Sequence, residues 1–230
     1  MADGFRLEKA WLYMQVGDWA RARELGEQGV SQALEVKHQY GQLLGCILLG
    51  CAHLGLEEHD RALHYFNNVH YRPKRILMDW ILQMLLYLGL SEYWLRQGKF
   101  AQASQAAHRL CTLAAQPGER TYLALGRRML AEIALTRRKW DEAEAEVAQA
   151  IRILEEAEAP LAEWRVYATA ARLQDQRRRK AEADQYWTRS AAVLQRLADS
   201  LGDKVELRQS LLTQPAIRAI SHRARSSSGC

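Results

Sequence analysis

The residues that could take part in chemistry are few, and they do not converge on one motif. His59, Asp60 and His64 lie close together, and Asp60 and His64 are four residues apart, which puts both side chains on one face of a helix. Imidazole and carboxylate groups bind zinc, but a zinc site needs at least three such ligands and the pattern offers no third. We therefore expect no metal, and we interpret these residues as polar side chains on an exposed helix.

The sequence lacks the motifs of the common enzyme classes. It contains no glycine-rich phosphate loop followed by Lys-Ser or Lys-Thr, no HExxH motif and no GxSxG motif. No spacing favours a grouping of serine, histidine and aspartate for nucleophilic catalysis. We therefore expect a protein that is not an enzyme and that uses no cofactor.

The basic charge of the chain lies in its C-terminal third. The formal net charge is +5, and Pro160 to Cys230 holds 13 Lys and Arg against 7 Asp and Glu. The densest run of cations, Arg177-Arg178-Arg179-Lys180, could neutralise the phosphates of a nucleic acid. No aromatic side chains for base stacking are interleaved with it. We expect a solvated turn here and keep nucleic-acid binding as a lesser alternative.

Several features argue against a secreted or membrane protein. The four cysteines show no close CxxC spacing, so we expect reduced thiols and a cytoplasmic location. Residues 1–11 carry Asp3 and Glu8 and have no apolar stretch long enough for a signal peptide. The most apolar segment, Trp80 to Leu90, spans 11 residues, and about 20 are needed to cross a bilayer. We interpret this segment as a buried helix and expect no membrane partner.

Five pairs of residues repeat at a nearly constant interval, and this period predicts the architecture. In each pair an aromatic or long side chain is followed three positions later by alanine, and successive pairs are 40, 41, 40 and 40 residues apart. A small residue stands nine positions before each leading residue. Such a period is typical of a repeat array, in which each unit buries its apolar face against its neighbours. The pairs are Trp19/Ala22, His59/Ala62, Phe100/Ala103, Trp140/Ala143 and Lys180/Ala183, and the small residues are Ala10, Gly50, Ser91, Ala131 and Ala171.

Each unit is predicted to form two helices with a short turn between them, because apolar residues recur at three and four positions. The fold class is therefore all-α, a solenoid of about five helix-turn-helix repeats followed by capping helices. Asp203 and Glu206 resemble a capping box, and Pro215 suits the first turn of a last helix. The repeat array is predicted at 1–200, with repeats at about 6–36, 39–71, 74–116, 119–157 and 161–200, the capping helices at 201–222 and a flexible tail at 223–230.

The recurring positions resemble tetratricopeptide repeats. That pattern has a small residue within the first helix of a unit (helix A), an aromatic residue three positions later, and alanine early in the second helix (helix B). The resemblance implies a right-handed superhelix, and Gln174 and Lys180 depart from the pattern in the fifth unit. The usual period is about 34 residues; HEAT and armadillo repeats share the longer period found here and are the main structural alternative. The aromatic position holds Tyr13, His53, Trp94, Ala134 and Gln174.

Long repeats of this type resemble the C-terminal arrays of large bacterial signal-transduction ATPases and transcriptional activators. The segment from Ser200 to Pro215 is similar to the closing helices of those arrays. This resemblance implies that the chain is the end of a longer regulator, whose partner is another domain of the same regulatory system. It also implies an alternative function, in which the array senses a small-molecule ligand.

The resemblance assigns helix A to the concave wall of the superhelix, which forms a groove. This groove is apolar in the first two units and charged in the later ones. Co-chaperones of this repeat class grip acidic C-terminal tails with Lys and Asn at these sites, whereas Leu or Ile stands here at the early positions, so we do not expect that kind of capture. The candidate groove residues are Leu7, Glu8, Trp11, Leu44, Ile47, Leu48, Cys51, Leu88, Glu92, Arg96, Arg128, Glu132 and Arg172.

We predict that the groove makes this chain a non-enzymatic protein–protein interaction module in a regulatory or signalling system. Apolar anchors at one end and Arg and Glu side chains at the other would hold a protein or peptide partner. The apolar stretch has two explanations that the sequence leaves open: a site for an amphipathic helix or extended peptide, or the core of a closed superhelix. Substituting Arg128 and Arg172 together is expected to weaken partner capture without unfolding the array.

Overall fold

The computed structural model describes residues 5–70 and 80–227, and this part of the chain forms 12 α-helices and no β-strand. Each helix packs against the next one along the chain, and each of the first four odd-numbered helices also packs against the next odd-numbered helix. The fold is therefore all-α and solenoid-like. The helices are α1 (Arg6–Gln15), α2 (Trp19–Glu35), α3 (Gln39–Gly55), α4 (His59–His70), α5 (Trp80–Arg96), α6 (Phe100–Ala115), α7 (Arg120–Thr136), α8 (Trp140–Glu155), α9 (Pro160–Gln176), α10 (Lys180–Ser200), α11 (Val205–Thr213) and α12 (Pro215–Ser227).

The 40-residue period of the sequence is also a period in space. The five leading residues of the repeated pairs are the first residues of α2, α4, α6, α8 and α10. The alanine three positions later is at most 1% exposed in every unit. The small residue nine positions earlier is buried within the preceding odd-numbered helix in every unit. Small side chains at both sites let the paired helices approach closely, so the predicted helix pairs are confirmed.

The turn inside each unit has one backbone geometry. The residue two positions before each helix B has a φ of +58° to +78°, at Gly17, Glu57, Gly98, Arg138 and Arg178. The next residue donates its N–H to the carbonyl five positions earlier at 2.9 Å in all five units. This is the Schellman pattern of helix termination, which pairs carbonyls that would otherwise lack a partner. The acceptor carbonyls belong to the predicted aromatic position, and a main-chain contact does not depend on the side chain, which explains how Ala134 and Gln174 are tolerated there.

One aromatic ring fills the space between the second and third units. Phe66 of α4 is fully buried and lies over glycines of two helices. A Cβ added at Gly50 of α3 would come within 2.5 Å of the ring, and one at Gly89 of α5 within 2.8 Å. Since real carbon atoms do not approach so closely, both positions need glycine for this packing.

The apolar segment predicted as a buried helix forms the start of α5. Leu82 and Met84 are fully inaccessible to solvent, and Leu86 nearly so. No helix in the described ranges has the length and apolar character that crossing a lipid bilayer would require. The predicted start of the third repeat, at residue 74, lies outside the described residues.

The two capping helices differ in detail from the prediction. The capping-box prediction for Asp203 and Glu206 is wrong, because α11 begins at Val205 and its N-cap, Lys204, makes no side-chain cap. Glu206 instead pairs with Arg21 of α2 at 2.8 Å. Helix α12 continues to Ser227, so residues 223–227 of the predicted tail are helical; residues 228–230 lie outside the described part of the chain.

Helix α12 closes the end of the array by covering α10. Ile217 and Ile220 of α12 are buried in a cluster with Trp187 and Leu194 of α10. Val16, at the end of α1, belongs to the same cluster. The last helix therefore buries apolar surface of the fifth unit and of the first unit together.

Polar contacts also join the first unit to the last elements of the fold. Ser210 of α11 donates a hydrogen bond of 2.7 Å to the Asp18 carboxylate, and the Tyr13 hydroxyl lies 3.2 Å from Glu206. Arg165 of α9 donates a hydrogen bond of 3.2 Å to the carbonyl of Gln15. The superhelix thus returns on itself, and its concave face becomes the wall of an interior space.

Candidate functional site

Helices α1, α3, α5, α7 and α9 line a partly open cavity of about 770 Å³, here called the chamber. All five of these helices contribute side chains, and α12 lies across the space they leave. The wall is therefore built from helix A of every unit, the surface to which the sequence assigned the groove. Representative lining residues are Trp11 (α1), Cys51 (α3), Leu88 (α5), Tyr122 (α7), Trp164 (α9) and Ile220 (α12).

One position of the repeat lines the chamber in three successive units, and its side chain changes from apolar to positively charged along the chain. Leu85, Leu125 and Arg165 all face the chamber and are 40 residues apart in sequence. The corresponding residue of the second unit, Leu44, packs against the core instead. The same helical register therefore supplies two apolar contacts and then a cation, which gives the chamber an apolar part and a charged part.

Aromatic side chains meet in the apolar part. Trp11 of α1 and Tyr122 of α7 interact although they are 111 residues apart, and both pack against the same apolar cluster. Burial raises the pKa of Tyr122 above its usual range, so the phenol stays neutral. The neighbouring Cys51 thiol has its pKa raised to about 12, mainly by burial and secondarily by the Glu92 carboxylate. A thiol that is protonated at neutral pH is a poor nucleophile, so this part suits recognition rather than covalent chemistry.

Glu132 of α7 is the buried acid of the charged part. Its Oε1 atom accepts hydrogen bonds from the Thr169 hydroxyl at 2.6 Å and from Arg172, and Arg128 lies 3.5 Å away. Burial alone would raise the pKa of Glu132, but the guanidinium groups of Arg128 and Arg172 and the two hydrogen bonds outweigh it and lower the pKa. The carboxylate is therefore ionised at neutral pH and holds three side chains of α7 and α9 together.

Arg165 occupies the same region without an acidic partner. Among the described residues no carboxylate lies within 4.0 Å of its guanidinium. It donates instead to the carbonyls of Leu161 at 2.5 Å and Gln15 at 3.2 Å, and it lies 4.3 Å from the ring centre of Trp164. Burial, and then repulsion from Arg128, lower the pKa of Arg165 to about 10, so the group remains a cation at neutral pH.

The other two arginines of the chamber have carboxylate partners. Arg96 pairs with Glu92 at 2.7 Å and also donates to the carbonyl of Leu54 at 2.9 Å. Arg223 of α12 pairs with Asp175 at 2.8 Å and lies 5.0 Å from the ring centre of Trp187. The positive charge left over in the chamber is therefore concentrated at Arg128, Arg165 and Arg172.

Most of the predicted groove residues line the chamber, but not all. Ile47 and Leu48 are completely buried in the core, and Leu7 packs against that core with Leu44. Glu8 is exposed outside the chamber, and Glu132 lies beneath Arg128 and Arg172 rather than on the surface. Those that line it are Trp11, Cys51, Leu88, Glu92, Arg96, Arg128 and Arg172. In the first two units some of the predicted groove residues are therefore part of the core, whereas Trp11, Cys51 and the later residues line the chamber.

Pairing with Glu132 changes the expectation for the double substitution of Arg128 and Arg172. Both guanidinium groups neutralise the one buried carboxylate. Removing both would leave a buried charge without a partner, which is strongly destabilising. The expectation that the array would keep its stability in this variant is therefore corrected, and single substitutions are the better probes.

Sequence reasoning missed Arg165, Tyr122, Trp164 and the contribution of α12. The 40-residue register could have found Arg165, because it occupies the position of Leu44, which was chosen in the second unit. Nothing in the local sequence of α12 indicates that it reaches the concave face. That placement depends on the superhelix closing, a property of all five units together.

The other sequence candidates do not form a site. His59 packs edge-on against Tyr93, while His64 contacts Asn68 at 3.1 Å, so the two imidazoles face different neighbours. Within the ranges that the structure describes, no group of three or more His, Cys, Asp or Glu residues is gathered as a metal site would require.

The basic turn is tied to the fourth unit by ion pairs. Arg177 pairs with Glu144 at 2.7 Å and with Asp141 at 3.0 Å, and Arg179 pairs with Glu144 at 3.0 Å. These carboxylates already neutralise much of the charge that a nucleic acid would have to meet. The run of arginines therefore has a structural role in joining α8 to the fifth unit.

The fold is similar to that of a solved structure. The crystal structure of BtubC (BKLC) from P. vanneervenii matches with a TM-score of 0.59 and 18% identity, over 95% of this chain and 87% of that chain. At this level of identity the likeness shows the fold alone. No protein-family model matches the sequence, and no match was found among curated proteins.

Proposed function

We propose that this protein is a non-enzymatic interaction module that binds a short polypeptide segment in the chamber. The observation that carries the proposal is the continuity of the wall, to which helix A of all five units and α12 contribute. Binding would come from side chains held in place before the partner arrives, which lowers the entropy lost on association. The aromatic groups of Trp11, Tyr122 and Trp164 are of the kind that anchors peptides.

The size of the chamber sets the length of the segment. A helix about 10 Å across would fill 770 Å³ within about two turns. The chamber therefore suits a few residues of a partner, extended or in one or two helical turns, rather than a long amphipathic helix.

We further propose that the repeats are of the tetratricopeptide class and that the module serves a regulatory or signalling system in the cytoplasm. Support for the class comes from the five identical helix A turns and the buried small residues at fixed spacing. Support for the cellular setting comes from the sequence resemblance and from Cys51 and Cys111, which form no disulfide.

Selection from a library of random octapeptides displayed on phage tests the proposal. A matched pair of variants locates the binding: Ala219→Trp puts an indole at a position that is exposed on α12 and lines the chamber, and Ala101→Trp puts one on the exposed face of α6. We expect peptides that bind the wild type and Ala101→Trp but lose at least tenfold in affinity for Ala219→Trp. Equal binding to all three proteins would place the site outside the chamber.

A second candidate function, sensing of a small molecule, is favoured by the volume of the chamber. Ligand cavities of about 300–1,000 Å³ with mostly apolar walls and a few polar groups are typical of small-molecule sites. A ligand that binds only the folded state raises the melting temperature, and the rise grows with the ratio of the ligand concentration to its dissociation constant. A screen of metabolites by thermal shift, repeated on Ala219→Trp, would separate this function from peptide binding.

A further inference from the structure

The charged part of the chamber contains more positive than negative charge. The guanidinium groups of Arg128 and Arg172 share the single carboxylate of Glu132, and Arg165 is close enough to Arg128 to be repelled by it. The acid that acts on Arg165, Glu92, is already paired with Arg96 at 2.7 Å. Cations held close together away from bulk water repel one another, so an added anion at this place would relieve an unfavourable arrangement.

The guanidinium of Arg165 has further N–H groups that could bind such an anion. A guanidinium carries five N–H groups in a planar fork, and the structure engages Arg165 with two carbonyls, those of Leu161 and Gln15. Its accessible surface opens onto the chamber, since it is one of the lining residues. Arginine with free N–H groups at the wall of an apolar cavity binds a carboxylate well because two parallel hydrogen bonds can form.

We propose that Arg128, Arg165 and Arg172 bind a carboxylate of the polypeptide segment, while an apolar side chain next to that carboxylate packs on Trp11 and Trp164. This proposal rests on the proposed function and adds the chemical class of the partner: a segment with an acidic group beside an apolar one. A carboxylate suits the site better than a phosphate, because the walls are largely apolar and a dianion costs more to remove from water.

The location of this site distinguishes it from the acidic-tail capture that the sequence argued against. That expectation concerned the early units, where Leu and Ile replace Lys and Asn. The three arginines belong to α7 and α9, in the fourth and fifth units. The orientation of the segment follows: its acidic group lies toward the arginines of α7 and α9, and the neighbouring apolar group lies between Trp11 of α1 and Trp164 of α9.

The test uses each selected peptide in two forms, one with its carboxylates free and one with every carboxylate converted to an amide. Titration calorimetry on the wild type should show at least tenfold tighter binding of the acidic form. Arg165→Met should abolish that preference, whereas Arg109→Met, at an exposed position of α6, should keep it. Glu132→Gln removes the competing negative charge and should bind the acidic form several-fold more tightly than the wild type.

Arg165→Met is expected to remove the preference for the acidic form, and Glu132→Gln is expected to bind that form more tightly. Because the two effects are opposite, the test stays valid if one variant loses stability. Circular dichroism melting curves of each variant, and of Arg165→Lys as the variant that keeps the charge, show whether folding is intact. If the wild type binds the acidic and amidated peptides equally, the carboxylate site is overturned and the proposed function stands.

A pair of small molecules distinguishes the outcomes in which no peptide is selected. If no peptide is selected but 4-phenylbutyrate binds more tightly than 4-phenylbutanamide in an Arg165-dependent way, the anion comes from a small acid, and both the polypeptide source and the proposed function are overturned. If no peptide is selected and neither small molecule binds, the anion site and the proposed function are both overturned.

Discussion

The guanidinium of Arg165 donates a hydrogen bond of 3.2 Å to the main-chain carbonyl of Gln15, a residue 150 positions earlier in the chain. Gln15 is the last residue of α1, and the end of a helix leaves such carbonyls without a hydrogen-bond partner in the helix. Arg165 supplies that partner, and the C-terminal end of the helix favours its positive charge. The contact joins the fifth unit to the first. Together with the contacts of Tyr13 and Asp18 to α11 and the packing of α12, this contact closes part of the groove and forms the chamber.

Closure of the chamber predicts that the last helix contributes strongly to stability. Ile220→Ala should lower the free energy of unfolding by about 2–4 kcal/mol, because Ile220 is 5% exposed and truncation would leave a cavity between α10, α12 and the end of α1. Urea denaturation followed by circular dichroism measures this. Leu212→Ala, at a position that is 39% exposed, is the matched control and should cost less than about 1 kcal/mol. Similar losses for the two variants would mean that α12 does not seal the array.

The packing around Phe66 predicts that one methyl group added at Gly50 lowers the stability of the fold strongly. Gly50→Ala would bring Cβ to within 2.5 Å of the ring and should destabilise the protein by about 1–3 kcal/mol through overpacking. Phe66→Leu makes room at the same place, so the double variant should be more stable than the sum of the two single effects indicates. Strict additivity in a double-mutant cycle would show that the clash is not the cause.

The backbone geometry of the repeat turns predicts that two substitutions at exposed positions have opposite effects on stability. Gly98 has φ of +68° and no atom within 4 Å of an added Cβ, so Gly98→Ala should cost about 1 kcal/mol from backbone strain alone. Arg138 has φ of +58° without being glycine, so Arg138→Gly should be neutral or stabilising by up to about 1 kcal/mol. Thermal melts of both variants measure this. A stabilised Gly98→Ala would contradict the assigned turn.

The turns also show how much of the fold the sequence could predict. The leading residues and small residues recur because the two helices of each unit pack together in the same way. The number of units, the helix pairs and the buried alanines therefore follow from the spacing alone. The left-handed turn could be predicted at Gly17 and Gly98, where glycine marks it. At Glu57, Arg138 and Arg178 the geometry is imposed by the neighbouring helices, and no local residue indicates it.

The candidate site was less accessible to sequence reasoning, for a physical reason. Trp11, Leu88 and Arg128, which the sequence assigned to the concave wall, line the chamber. Whether a residue is core or wall depends on how tightly the superhelix curves, and this curvature put Ile47 and Leu48 into the core. The pairing of Glu132 with Arg172 likewise depends on contacts between α7 and α9, because the two residues are 40 positions apart along the chain.

The ion cluster around Glu132 predicts a dependence of stability on pH. The pKa of Glu132 is lower in the folded state than its ordinary value, which is about 4.3 in an unfolded chain. Its contribution to stability is therefore complete above about pH 4.3 and is lost as the pH falls through the folded-state pKa. Glu132→Gln should be less stable than the wild type at pH 7, by on the order of 2 kcal/mol.

The difference between the wild type and Glu132→Gln should shrink as the pH falls below about 4, since the wild-type carboxyl is then also uncharged. Urea unfolding at a series of pH values measures both proteins under the same conditions. A difference that stays constant down to pH 3 would show that ionisation of Glu132 does not stabilise the fold.

The most direct test of the central claim, that the helix A chamber is the binding site, is the dissociation constant of a selected peptide for the wild type and for Ala219→Trp. If the chamber is the binding site, the dissociation constant for Ala219→Trp rises at least tenfold with an unchanged melting temperature, and the dissociation constant for Ala101→Trp does not change. Equal dissociation constants for the wild type and a correctly folded Ala219→Trp would contradict the claim.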